Sequence, residues 1–211
     1  MKLEKKQGWL AIIIIAAVLI IDQIIKIEVK TNMYLGERIR ITDWFYIFFV
    51  ENKGMAFGWE LFDKRFLTIF RIIFVGLMGW YMHKQIKQGL QSTGFIVCLS
   101  LVIAGAAGNI IDSLFYGLIF NSPDYPMVAD FVPFGEGYES FMMGRVVDMF
   151  YFPLIEWDMP NYGWLPYAGE HCIFFSPIFN FADASISCGM IALILFYHKE
   201  VSEIGKKEFH K

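Results

Sequence analysis

Charge is scarce in this chain. Only 18% of its 211 residues are Asp, Glu, Lys or Arg, where a soluble domain carries roughly a quarter. Basic residues are the minority, 18 against 21 acidic ones, for a net charge of −3. No basic face is available to neutralise phosphates, which excludes a nucleic-acid binder. Cysteine is nearly missing too. Three residues without a CxxC or a Cys/His cluster exclude a disulfide framework and a structural zinc site. Cys98 and Cys188 fall in apolar runs and read as small buried residues. Internal repeats are absent, which weighs against inverted-repeat transporters. What fills the chain instead is apolar: 56% hydrophobic and 18% aromatic residues. That is too much apolar surface for a disordered chain, and it suits a polytopic membrane protein of one domain, residues 1–211.

A bilayer core needs about 20 mostly apolar residues per helix. Four stretches approach that length: 9–25, 66–82, 94–111 and 179–197. Lys2, Lys5 and Lys6 ahead of the run Trp9–Ile21 look like the start of a signal peptide. No small-x-small cleavage site follows, however, and Asp22-Gln23-Ile24-Ile25-Lys26 continues the helical pattern, so a retained span is expected. Lysines gather before the first run, between the second and third, and in the tail, and the positive-inside rule puts all three segments in the cytoplasm. Segments 26–65 and 113–178 are then the outer ones. In the first, Arg38–Thr42 alternates and 44–50 is rich in aromatic and branched residues, which predicts a small sheet on the membrane surface. The second holds all seven prolines. Loops, short turns and interfacial anchoring by Trp157 and Trp164 are expected there, with Asp148 in a loop.

Ionisable groups in apolar spans cost roughly 2.5 to 3.5 kcal/mol each at the helix centre, so each needs a reason. Asp22 and Gln23 end the first span, Asn109 and Asp112 the third, and Asn180 and Asp183 open the fourth. Each of the last two pairs is spaced i, i+3 and shares a helix face. Three helices thus bring carboxylates and amides to one depth. The small-residue run Ala104–Gly108 allows close helix approach beside them. Amides alone can bridge helices for about 0.6 kcal/mol each, Arg71 is expected to snorkel or pair with a neighbour, and the histidines lack metal-ligand spacing. Converging aspartates say more. Two of them in a low-dielectric cleft repel, so one holds its proton far above the usual carboxylate range, an arrangement fit for acid–base work on an amide. The chain has no HExxH and no convincing Ser/Lys or Ser/His pair in the spans.

Five segments, in order, resemble the lipoprotein signal peptidases (signal peptidase II). They are Asp22-Gln23-Ile24-Ile25-Lys26, Asn52-Lys53-Gly54-Met55-Ala56-Phe57-Gly58, Gly105-Ala106-Ala107-Gly108-Asn109-Ile110-Ile111-Asp112, Gly144-Arg145-Val146-Val147-Asp148-Met149 and Phe179-Asn180-Phe181-Ala182-Asp183-Ala184-Ser185. The resemblance implies an α-helical inner-membrane protein with four transmembrane helices, both termini cytoplasmic and a small extracytoplasmic sheet that cradles substrate. It implies an aspartic endopeptidase with Asp148 and Asp183 as the dyad, and Asp22, Asn52, Asn109, Asp112 and Asn180 shaping the site. It also implies cleavage of diacylglyceryl prolipoprotein just before the lipidated cysteine at the outer leaflet, without metal or cofactor, inhibition by globomycin, and a monomer among membrane lipid. Two departures stand out. The arginine usual in the family after the third-span aspartate is Ser113 here, with Arg145 as the candidate substitute, and insertions 118–143 and 151–177 lengthen the outer segment. The rival readings are a small transporter with Asp22, Asp112 and Asp183 as a cation path, a metal-dependent phosphatidyl-transfer enzyme, and a non-catalytic homologue that binds lipoprotein. Carboxylates clustered at one end disfavour the first two.

Overall fold

The computed structural model describes residues 3–52, 64–89, 91–162 and 169–200. Helix α1 (Leu3–Asn32) runs well past the apolar stretch, because its later polar residues Asp22, Lys26 and Lys30 turn inward and are buried. Helix α2 spans Lys64–Gln88, and α3 spans Thr93–Ile111, capped by Ser92, whose hydroxyl accepts from Phe95 N. Beyond α3 the chain stays helical through a π turn (Asp112–Tyr116) and the short α4 (Gly117–Ile119). Three helical stretches, Leu3–Asn32, Lys64–Gln88 and Thr93–Ile119, are long and apolar enough to cross a membrane. Helix α5 (Phe181–Phe196) is apolar but has 16 residues, about 24 Å of rise. Its start is set by Asn180, which closes a capping box with Asp183.

Helix α3 lies at the centre, with α5, α1 and α2 packed around it. Glycines permit this. A Cβ on Gly105 would sit 2.2 Å from the Ala182 carbonyl oxygen, and one on Gly108 would sit 2.7 Å from Asp22 Oδ2, so α5 and α1 approach to backbone distance, as small residues allow between membrane helices. Cys98 is buried in this core, whereas Cys188 faces outward on α5. That corrects the expectation of a buried Cys188: an apolar helix packed on one side only exposes its outer face, apolar or not.

Four strands form an antiparallel sheet in the order β1 (Arg38–Arg40), β2 (Tyr46–Asn52), β3 (Val146–Tyr151) and β6 (Ile178–Phe179). A separate ribbon pairs β4 (Ile155–Asp158) with β5 (His171–Phe174). Strand β3 corrects the expectation of a loop around Asp148. Covered on both faces, it is a near-continuous apolar run without the alternation of a half-buried strand, and the aspartate in its middle disguises it further. Insertion 118–143 folds back on α4, with Val132 N on the Ile119 carbonyl at 2.9 Å and Tyr138 N on that of Phe120 at 2.9 Å. Lys53–Gly58 and Trp164 lie outside the described residues.

Candidate active site

The inner ends of the sheet meet the helix ends at Asp148 and Asp183. Asp148 stands on β3 opposite Val50 of β2 and is 3% exposed. Asp183 sits in the first turn of α5 and is half-buried. Asn180 joins them: its Oδ1 accepts from Asp183 N at 2.9 Å, and its Nδ2 donates to Asp148 Oδ1 at 2.7 Å and to Asn109 Oδ1 at 3.1 Å. Asn109 completes the loop by donating Nδ2 to Asp183 Oδ1 at 2.8 Å. Every polar atom of both amides is used, which fixes their orientation. Asn52, at the end of β2, also bonds the Asp148 carboxyl.

Behind the amides lies Lys26, fully buried. Its ammonium donates to Asn109 Oδ1 at 2.9 Å and pairs with Asp22 Oδ2 at 2.9 Å and Asp112 Oδ2 at 2.7 Å. Asp22 accepts from Ala182 N at 2.9 Å, holding the α5 terminus. Gln23 donates to Asp112 Oδ1 at 2.9 Å and accepts from Tyr116 OH at 3.1 Å. The helix pairs therefore divide their labour: Asn109 serves the dyad and Asp112 serves the lysine, while Asn180 is the cap rather than a helical residue. Lys26 entered the sequence reading only as the end of a motif, and its i, i+4 spacing from Asp22 was the available signal. Gln23 bridges α1 to Asp112, in line with the helix-bridging role open to an amide at that depth, whereas Tyr116 carried no signal.

Arg145 is engaged elsewhere. Its Nη1 lies 2.9 Å from Glu51 Oε2, and Glu51 Oε1 pairs with buried Lys30, whose ammonium is ringed by Phe49, Phe120 and Tyr138. The arginine whose charge is felt by both Asp148 and Asp183 is Arg71 of α2. It lies on the inward stripe Lys64, Thr68, Arg71, Val75, Met78, Met82, with heptad-like spacing. On the same stripe Lys64 donates to the Gly144 carbonyl and Thr68 to that of Met142, so α2 clasps the segment entering β3.

Burial, and then the charge of Asp183, push the Asp148 carboxyl up to about 7, against the opposing pull of its bonds from Asn180 and Asn52. Near neutral pH Asp148 therefore holds a proton beside a second carboxyl that Asn109 and Asn180 fix by donating to it. Such an arrangement can polarise a carbonyl with one carboxyl and activate water with the other.

The chain is similar to known proteins along most of its length. The family described as signal peptidase (SPase) II matches residues 14–199. The lipoprotein signal peptidase of Porphyromonas gingivalis is 50% identical over 204 residues, covering 95% of this chain and 89% of that protein. The lipoprotein signal peptidase of Amoebophilus asiaticus is 34% identical over 198 residues, covering 90% and 78%. A bacterial membrane enzyme solved by the in meso method at 2.3 Å superposes with a TM-score of 0.61 over 92% of this chain and 90% of its own, at 24% identity, a likeness of fold. The match over residues 14–199, with a relative 50% identical across 95% of the chain, makes this protein a member of the signal peptidase II family and thus a membrane peptidase.

Proposed function

We propose that the chain cleaves diacylglyceryl-modified prolipoproteins just before the lipidated cysteine, with Asp148 and Asp183 as the dyad. The observation that carries this reading is the pair's asymmetry. Asp148 is buried and proton-holding near neutral pH, while Asp183 is more open and accepts from Asn109 Nδ2 and Asn180 N. Asp183 takes a proton from water, whose oxygen bonds to the scissile carbonyl carbon as Asp148 protonates the carbonyl oxygen. The carbon–nitrogen bond then breaks, the nitrogen leaves with the proton held by Asp183, and Asp148 recovers its own as the carboxyl product forms. Asn180 and Asn109 hold the two carboxyls in register, and Lys26 offsets Asp22 and Asp112 behind them.

The same reading makes α5 the fourth span, β1, β2, β3 and β6 the cradle, and the dyad extracytoplasmic in a bacterial inner membrane. The ends opposite the dyad support it. Gln7 of α1 reaches the Gln91 carbonyl and Thr93, and Glu200 beyond α5 bonds Ser92, so those ends gather beside Lys5, Lys6, Lys84, Lys87 and Lys199, the signature of a cytoplasmic side. Action as a monomer and inhibition by globomycin belong to the same proposal. Mass spectrometry of the products tests it. The expected product is a protein beginning at a diacylglyceryl cysteine, formed in the absence of globomycin only. Cleavage elsewhere, or of unlipidated precursor equally well, contradicts it.

A further inference from the structure

The ribbon of β4 and β5 is a sheet of its own, paired with no strand of the four-stranded sheet among the described residues, and it has two unlike faces. Directly paired residues point the same way, so Ile155 with Phe174 and Trp157 with Cys172 make one face, and Glu156 with Ile173 and Asp158 with His171 the other. The first is apolar and unpartnered: Ile155 is 59% exposed, Phe174 56% and Trp157 42%. On the second, His171 Nδ1 lies 2.7 Å from Asp158 and Nε2 3.5 Å from Glu156. Both carboxylates raise the imidazole's pKa. A face that gathers an imidazole and two carboxylates belongs in water. An isolated two-stranded ribbon is at best marginally stable, so the apolar face needs a surface to cover it.

The ribbon's base says which surface. Phe175 packs edge-on against Phe179, at 6.2 Å, and Phe179 stacks on Phe152, which stacks on Phe45 and Trp44. Trp44, Leu154 and Phe175 are exposed along this stack. Phe179 is followed at once by Asn180 and the start of α5, whose outward residues Met190, Ile191, Ile194 and Leu195 are exposed apolar groups suited to lipid. The aromatic stack therefore sits where α5 enters the bilayer, the level that aromatic side chains favour, and the ribbon's apolar face continues the lipid-facing surface outward from it.

We infer that the β4–β5 ribbon lies on the outer leaflet, with Ile155, Trp157 and Phe174 dipped among lipid and Glu156, Asp158 and His171 turned to water. The docked ribbon steadies the segment Phe175–Phe179 that leads into Asn180 and Asp183. This goes beyond the proposed reaction and rests on that reading only for α5 as a span and for the side of the membrane.

Spin-label accessibility on the full chain in nanodiscs of phosphatidylethanolamine and phosphatidylglycerol tests it. Single cysteines are introduced as Ile155→Cys, Phe174→Cys, Glu156→Cys and Asp158→Cys, in a background of Cys98→Ala, Cys172→Ser and Cys188→Ala. Retained prolipoprotein cleavage shows that each labelled chain is folded. The expected result is severalfold more collision with oxygen than with a water-soluble nickel chelate at 155 and 174, and the reverse at 156 and 158. Nickel access equal at all four positions overturns the inference. So does protection at 155 and 174 that appears only on adding prolipoprotein, or that comes with spin–spin broadening between copies, since the covering partner is then the substrate or a second chain.

Discussion

Two buried ion clusters flank Asp148, and their make-up is reversed. On the helix side one basic group, Lys26, answers two carboxyls, Asp22 and Asp112, beside the dyad. On the sheet side one carboxylate, Glu51, answers two cations, Lys30 and Arg145. The first cluster shares Asn109 with the dyad and so sets its geometry and its field. The second joins α1 to β2 and to the start of β3, and positions Asp148 by holding the strand. A buried charge beside the dyad thus has two separable tasks, and the side on which it lies says which task it has.

The contrast can be broken in steps. Lys26→Met strands two buried carboxylates, and losing one partner of a buried pair costs about 3 to 5 kcal/mol. Thermal unfolding in detergent should show a collapse in Tm together with loss of cleavage, and a well-folded, active variant would remove Lys26 from the account. Glu51→Gln should cost less, because the amide oxygen can still accept from buried Lys30, whose ammonium keeps its ring of aromatic side chains, and the Arg145 side chain, 25% exposed, can turn to water. Here Tm should fall while kcat of the folded fraction changes little. A kcat loss without a Tm loss would move Glu51 to the dyad's side of the division.

Arg71 sharpens the comparison, since it is the cation that faces the dyad from α2. Asp22, Lys26 and Asp112 face the dyad from α1 and α3, and Lys64 lies nearest Gly144 on the α2 stripe. Removing a cation disfavours the ionised partner, so Arg71→Met should shift the acid limb of the kcat/KM profile to higher pH by about one unit, and Arg71→Lys should restore it. An acid limb that does not move in Arg71→Met would make the residue a packing element only.

A further effect concerns stability against pH. The folded-state pKa of Asp148 lies near 7, above the unfolded value of 3.8, so between them the folded chain binds more protons than the unfolded one. Stability then falls as pH rises through that window, and the penalty is complete above about 7. Asp148→Asn should flatten the slope and raise Tm at pH 8 relative to wild type. An unchanged slope would mean that the proton resides elsewhere in the pair, whose apparent values belong to both members.

Most of the helical scaffold could be read in advance, since long apolar runs and Asn/Asp pairs at i, i+3 are signals of local spacing. The sheet edge β1–β2 was equally legible from alternation. Strand β3 was not, because burial on both faces removes the alternation and Asp148 interrupts the run. Lys26 resembles any lysine near a span end until two carboxylates from different helices are seen around it. Arg145 and Arg71 could not be ranked from sequence either, because which of them faces the dyad depends on Glu51 and on how α2 turns. Ribbon β4–β5 lies in a proline-rich, acidic stretch whose short strands carry no distinctive pattern.

The most direct measurement is a gel-shift assay of purified diacylglyceryl prolipoprotein with wild type, Asp148→Asn and Asp183→Asn, each with and without EDTA. The account predicts cleavage by wild type alone, at the same rate with the chelator, with both variants folded and inserted. Turnover by either asparagine variant at a rate near wild type would contradict the dyad, and an EDTA-sensitive wild type would contradict the chemistry assigned to it.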